Sequence, residues 1–289
     1  MDLSKQCHPT FIAEISSNHN RDLNRCFEFI KAAKEIGCDA VKFQFFDIAN
    51  IFHYSILERS KKHRDRKEWE LPIEFIPQIA KYCNELNIFF GCTPFDKKSV
   101  DFLNKYVDFF KISSYELIWL DLIHKCARTN KTLILSTGMA TLSEVTESYK
   151  AAVNGGCTSL ALLHCVSGYP TPLAQCNLKC INTLKNEFKC HVGWSDHSVS
   201  ETAILRAIQK WSAEIIEFHL DTDGQGAEFK LGHCWLPREA KKLINKARTG
   251  IILDGDGIKK PRPIEIDDRN WRADPTDGLR PIKSIRERD

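Results

Sequence analysis

The stretch 10-TFIAEISSNHN-20 decides between the two architectures open to this chain. Its first half is a β-rich run, and its second half is the loop that follows. An open, doubly wound sheet places a glycine-rich turn here, where backbone amides close on a phosphate. This loop reads Glu14-Ile15-Ser16-Ser17-Asn18-His19-Asn20, with no glycine. A closed parallel barrel makes no such demand, because its ligand sites are spread over all the strand ends.

Working outward, seven more β-rich runs follow: 39–46, 88–93, 108–113, 132–137, 158–164, 191–196 and 214–220. Segments of helical length lie between most of them: 23–36, 73–86, 117–128, 142–153, 177–188 and 201–211. In the first of these Leu23, Phe27, Ile30 and Ala33 form an apolar stripe, with Lys31, Lys34 and Glu35 off it. Asp22 and Thr141 are start signals; Gly37, Gly155 and Gly156 are stops. Strand runs that alternate with helices build a parallel sheet, and eight of them over about 220 residues match the size of a (β/α)8 barrel. The expected fold is therefore α/β, a TIM barrel over residues 1–254, with an irregular Pro/Arg-rich C-terminal tail over 255–289. The charge-rich insertion 59-RSKKHRDRKEW-69 reads as a solvated loop, with a lid over an anionic ligand as the alternative.

Composition narrows the partners. With 289 residues, 43% of them hydrophobic, the chain can bury a large core. A net charge of +3 supplies no basic field for nucleic acid. No run approaches the roughly 18 apolar residues of a membrane helix, and the N-terminus shows no apolar signal segment. The 12 cysteines are scattered through apolar segments without a CxxC pair, which reads as reduced, mostly buried thiols in a cytoplasmic protein.

A barrel carries its active site at the C-terminal ends of its strands. Polar residues collect there: Glu14, Lys42 and Gln44, Thr93, Lys111 and Ser114, Ser136, His164, Ser195-Asp196-His197, and Glu217 with His219. Lys42 and Gln44, two apart, face the same side. Lys42, Lys111, Ser114 and Ser195 can hold phosphate or carboxylate oxygens through charge-assisted hydrogen bonds. His197 and His219 end neighbouring strands and can share a divalent cation. Spacing alone leaves open solvated rim lysines and hydrogen-bonded structural histidines.

The ordered set 13-AEISSNHN-20, 40-AVKFQ-44, 91-GCTPFD-96, 110-FKISSYE-116, 135-LSTGMA-140, 164-HCVSGYPTP-172, 194-WSDH-197 and 216-IEFH-219 closely resembles the sialic acid synthase (N-acetylneuraminate synthase) family over nearly all of residues 10–235. The resemblance implies a transferase that condenses phosphoenolpyruvate with an open-chain N-acyl amino sugar, such as N-acetylmannosamine, to give a nonulosonic acid and phosphate. It implies a divalent metal, Mn2+ or Mg2+, on His197 and His219. Lys42, Lys111, Ser114 and Ser195 match phosphoenolpyruvate-binding positions, and Ser136 lies near them. Gln44, Glu116 and Tyr169 match positions facing the sugar, and Glu14 the glutamate near the reacting carbons. Two other readings stay open: a synthase for another aldose, and a non-catalytic sugar-binding barrel.

Three departures stand out. Ser167 replaces a frequent asparagine before the tyrosine of YPTP. The stretch 221-DTDGQGAE-228 lacks the usual arginine after the last-strand histidine, with Glu228 in place of an aspartate toward the sugar. Family members carry a C-terminal antifreeze-like (SAF) domain that supplies an arginine across a homodimer. The chain ends too soon for that domain, so a homodimer is an open expectation, and Arg269, Arg272 and Arg280 are candidates to supply the charge.

Overall fold

The computed structural model describes Met1 and residues 8–287. The chain forms two compact units, Met1–Thr249 and Gly250–Asp289. In the first, eight parallel strands close on themselves: β1 (Thr10–Glu14), β2 (Ala40–Phe45), β3 (Phe89–Pro94), β4 (Phe109–Ile112), β5 (Thr132–Ser136), β6 (Leu160–Cys165), β7 (His191–Asp196) and β8 (Ile215–Leu220). β1 closes the ring, with Glu14 opposite Lys42 of β2 on one side and His219 of β8 on the other. A helix follows each strand: α1 (Leu23–Ile36), α2 (Ile76–Glu85), α3 (Lys97–Leu103), α4 (Leu120–Ala127), α5 (Leu142–Asn154), α6 (Lys179–Glu187), α7 (Glu201–Gln209) and α8 (Pro237–Asp254). This is the (β/α)8 barrel expected from the 10–20 stretch.

Local chemistry sets the boundaries. Asp22 caps α1 by accepting from the Asn24 amide at 2.8 Å, and Gly37 ends it in the left-handed region at φ 96°. Thr141 and Glu144 close a capping box on α5. α3 and α8 fall in stretches read without a helix. The insertion is a correction: 59–69 is not a loop but runs from the end of the helix Tyr54–Arg59 through a helical turn Lys61–Arg64 and a 3-10 turn Asp65–Trp69. Its charges find local partners, which charge density alone does not reveal. The Arg66 guanidinium lies over the rings of Phe52 and Trp69 at 5.6 and 5.2 Å.

The alternation of strand residues divides the core in two. Ile12, Ala40, Phe109, Ile134, Ala161, Leu163 and Ile215 form one cluster inside the barrel. Their neighbours along the strands, such as Phe11, Val41, Phe110, Leu133 and Ile216, belong to the larger core with the helices. Gly91 makes room inside: a Cβ there would stand 2.1 Å from the Phe109 ring. The eleven described cysteines are all unpaired. Among the described residues no helix is long and apolar enough to cross a membrane. The second unit is built of short turns and a terminal helix, Lys283–Arg286, and is tied by ion pairs Arg262–Asp256 at 2.8 Å and Arg286–Asp277 at 2.6 Å.

Candidate active site

Counting by twos from the apolar layer leads to the mouth. Ile12 is followed by Glu14, Ala40 by Lys42 and Gln44, Phe109 by Lys111, Ile134 by Ser136, and Ile215 by Glu217 and His219. In β7, Gly193 is followed by Ser195 and then His197. Asp196 falls on the opposite parity. It accepts from the Trp194 and Trp235 indoles at 3.2 and 3.1 Å and from the Ser198 hydroxyl at 2.6 Å, so it braces the loop rather than the mouth. His164 also faces away, its Nε2 donating to the Cys176 carbonyl at 3.0 Å.

Two ion pairs occupy the mouth. Lys42 pairs with Glu14 and donates to Thr93 Oγ1 at 3.0 Å. Lys111 lies 3.3 Å from Glu217 Oε1, which also accepts from the Ser195 hydroxyl at 3.0 Å. Glu14, Lys42 and Lys111 are each 2% exposed and Glu217 5%. Burial lowers the Lys42 pKa to about 8, against the pull of Glu217. Burial pushes the Glu217 carboxyl up, but Lys111, Lys42 and the Ser195 hydroxyl outweigh it and hold it down at about 2. Stripping water from an ion costs several kcal/mol, and well-packed apolar residues at such positions are often at least as stable. Four charges buried at one end of a barrel therefore point to ligand handling rather than stability.

Unpartnered groups mark where a ligand fits. The buried Ser136 and Ser167 hydroxyls and Glu217 Oε2 have no hydrogen-bond partner within the described residues. Gly138 donates its amide to Ser114 Oγ at 2.9 Å, and a Cβ there would lie 2.4 Å from Ser167 Oγ. Gln44 and Ser114 are half-buried along the rim. Glu116 is tied to the Ser113 hydroxyl, and burial raises its carboxyl pKa to about 7 despite that bond.

The imidazoles are held by one nitrogen each. His197 Nδ1 donates to the Val166 carbonyl at 2.9 Å, and His219 Nδ1 to Glu228 Oε2 at 3.0 Å. This is how metal-binding histidines are ordinarily braced, and it leaves each Nε2 as the free lone pair. Burial keeps both neutral: the His197 pKa is lowered to about 3 and that of His219 is lowered too. The two rings lie 5.4 Å apart, with the Tyr169 ring 4.2 Å from His197. The donor set fits a divalent cation.

Glu228, expected in place of an aspartate toward the sugar, lies beside the imidazoles. Its carboxylate accepts from the Ser16 hydroxyl at 2.6 Å as well as from His219, and its amide donates to Asn18 Oδ1 at 2.8 Å. The loop that carries it is fastened by Arg25, 2.8 Å from both the buried Asp221 and Asp223. Two residues left without a role in the sequence reading also belong here. Glu217 was detectable, two positions before His219 on the same parity. His233 was not, because a loop has no period; a two-residue strand β9 (Cys234–Trp235), pairing with β8, brings it beside His219. His219, Glu228, His233 and Cys234 form a group able to hold a metal ion.

A parallel barrel with paired lysines, carboxylates and imidazoles at the C-terminal ends of its strands has the layout of an enzyme's active site. The chain belongs to the NeuB family, which matches residues 29–259. It is 36% identical to the N,N'-diacetyllegionaminic acid synthase of Campylobacter jejuni, over 88% of this chain and 80% of that protein. It is 34% identical to the N-acetylneuraminate-9-phosphate synthase of Drosophila melanogaster, over 84% of this chain and 68% of that one. The solved N-acetylneuraminic acid (sialic acid) synthetase of Leptospira borgpetersenii, in complex with citrate, superposes with a TM-score of 0.80 at 29% identity, covering 90% of each chain.

Proposed function

We propose that this enzyme condenses phosphoenolpyruvate with an open-chain N-acyl amino sugar to give a nonulosonic acid and phosphate. The observation that carries the reading is the pair of buried ion pairs, Lys42–Glu14 and Lys111–Glu217, on the inner face of a NeuB-family barrel. Lys42 and Lys111, with the Ser114, Ser136 and Ser195 hydroxyls, bind the phosphate and carboxylate of phosphoenolpyruvate. Gln44, Glu116 and Tyr169 line the sugar side. Glu228 orients His219, to which its Oε2 bonds at 3.0 Å. A divalent ion on His197 and His219, Mn2+ or Mg2+, supplies Lewis acidity toward the sugar aldehyde.

The balance of bonds assigns the rest. The methylene carbon of phosphoenolpyruvate forms a bond to the aldehyde carbon, whose oxygen takes up a proton and becomes a hydroxyl. Positive charge then develops on the carbon bearing the phosphate, where the Glu14 carboxylate stabilises it and positions water for addition. The carbon–oxygen bond to phosphate breaks, the lysines hold the departing phosphate, and a 2-keto acid remains. Both substrates in one mouth supply the orientation that a bimolecular encounter lacks. The cysteines among the described residues, all unpaired, suit a reducing compartment such as the cytoplasm.

The test is product identification by mass spectrometry after incubation with phosphoenolpyruvate, Mn2+ and a panel of N-acyl hexosamines and simple aldoses. The expected result is phosphate release with a nine-carbon keto acid from at least one N-acyl sugar. Turnover with simple aldoses alone would favour the other synthase reading. Tight sugar binding without phosphate release would overturn catalysis altogether.

A further inference from the structure

His233 lies outside the two-histidine pair and is 2% exposed. Its ring is 4.6 Å from that of His219, 5.0 Å from Tyr169 and 6.5 Å from His197. Two features of the loop put it there. Gly232 turns at φ 82°, and β9 then pairs Cys234 with His219. The imidazole is thus delivered to the mouth by backbone geometry.

Its bonding is incomplete. His233 Nε2 is 3.6 Å from Glu228 Oε2, while Nδ1 is buried with no partner among the described residues. A buried imidazole nitrogen without a partner is a poor structural choice, because its desolvation is not offset. It is a good choice for a lone pair waiting for a cation. The candidate ligand atoms of His219, Glu228, His233 and Cys234 all lie within 4.8 Å of one another, a group that leaves out His197, which adjoins it through His219 at a ring separation of 5.4 Å. Imidazole nitrogens are common donors for first-row divalent metals.

We infer that His233 is a third imidazole ligand of the metal centre, beside His197 and His219. The inference rests on the metal-dependent reading above and deepens it, because a third nitrogen donor binds the ion more tightly and favours Mn2+ over the harder Mg2+. His233 is then a metal ligand rather than a packing residue, and the loop after β8 is part of the metal site.

Direct observation of the bound ion tests this without using turnover. Chelator-stripped enzyme is titrated with Mn2+, followed by electron paramagnetic resonance, and the bound ion's nitrogen couplings are counted by pulsed methods. Wild type is expected to show three imidazole nitrogens. His233→Gln, whose amide can still bond to Glu228, is expected to show two, with a dissociation constant raised at least about 10–100-fold, the range already seen when only a group bracing a ligand is lost. A wild-type ion coupled to only two imidazoles overturns the inference even if the variant fails to fold. So does His233→Gln with wild-type affinity while His197→Gln loses the ion, an outcome that leaves the two-histidine site standing. If His197→Gln and His219→Gln both bind Mn2+ like wild type, the underlying metal reading fails and the inference falls with it.

Discussion

At the residue scale, Lys42 is the most informative side chain. Its pKa is lowered by burial from 10.5 to about 8, so the folded enzyme loses this charge earlier than the unfolded chain does. On the proposed function, capture of phosphoenolpyruvate uses the charged form and is expected to be full below about pH 8 and to decline above it. Stability has the opposite sign: between about 8 and 10.5 the unfolded chain binds more protons, so this group's contribution rises with pH. The check is kcat/KM for phosphoenolpyruvate against pH, with Lys42→Arg expected to flatten the decline because its guanidinium stays charged. Lys42→Met should weaken apparent phosphoenolpyruvate affinity by about 2–4 kcal/mol, the scale for removing one partner of a buried charge pair. An unchanged Michaelis constant would return Lys42 to a structural role. Glu228 gives a second case. Glu228→Ala removes the acceptor that orients His219 and is expected to weaken Mn2+ binding about 10–100-fold, measured by titration of the stripped enzyme.

At the element scale, the loop after β8 is held by one side chain of α1. Arg25 meets Asp221, which is fully buried, and Asp223, which is half-exposed. Arg25→Met leaves Asp221 buried without its cation and is expected to cost about 3–5 kcal/mol, read from the urea midpoint. Limited proteolysis within 221–236 should accelerate in the same variant, and a loop equally resistant in both proteins would refute the fastening. The strands carry a second test. Gly91→Ala forces a Cβ into the Phe109 ring and is expected to cost about 1–3 kcal/mol, with Phe109→Leu in the same chain recovering part of it. Equal urea midpoints for wild type and Gly91→Ala would show that the interior has slack.

At the scale of the whole molecule, ligand binding and folding are linked. Phosphoenolpyruvate at a hundredfold excess over its dissociation constant should stabilise the fold by about 2.7 kcal/mol, a shift of several degrees in Tm. The Lys42→Met, Lys111→Met double variant should lose that shift while keeping its own melting transition. A full shift in the double variant would mean the anion binds elsewhere.

The barrel was legible because a parallel strand buried on both faces reads as a short, near-continuous apolar run, and its end is marked by the polar residues that follow. The eight strand runs could be read this way, and the α1 boundaries from the capping residues Asp22 and Gly37, whereas His164 and Asp196, also read at strand ends, face away from the mouth. What only the tertiary structure decided lies in pairings between distant segments. Which carboxylate meets which lysine depends on the order of strands around the ring, and Glu217 emerges as the partner of Lys111 only once β4 and β8 face each other across the barrel. Glu228 shows its bond to His219, and His233 its place at the mouth, because β9 adds to β8 and Arg25 pulls the intervening loop onto α1. A loop has no periodicity to announce such contacts; they exist only where packing brings residues some two hundred positions apart within hydrogen-bond distance, as Ser16 and Glu228 are at 2.6 Å.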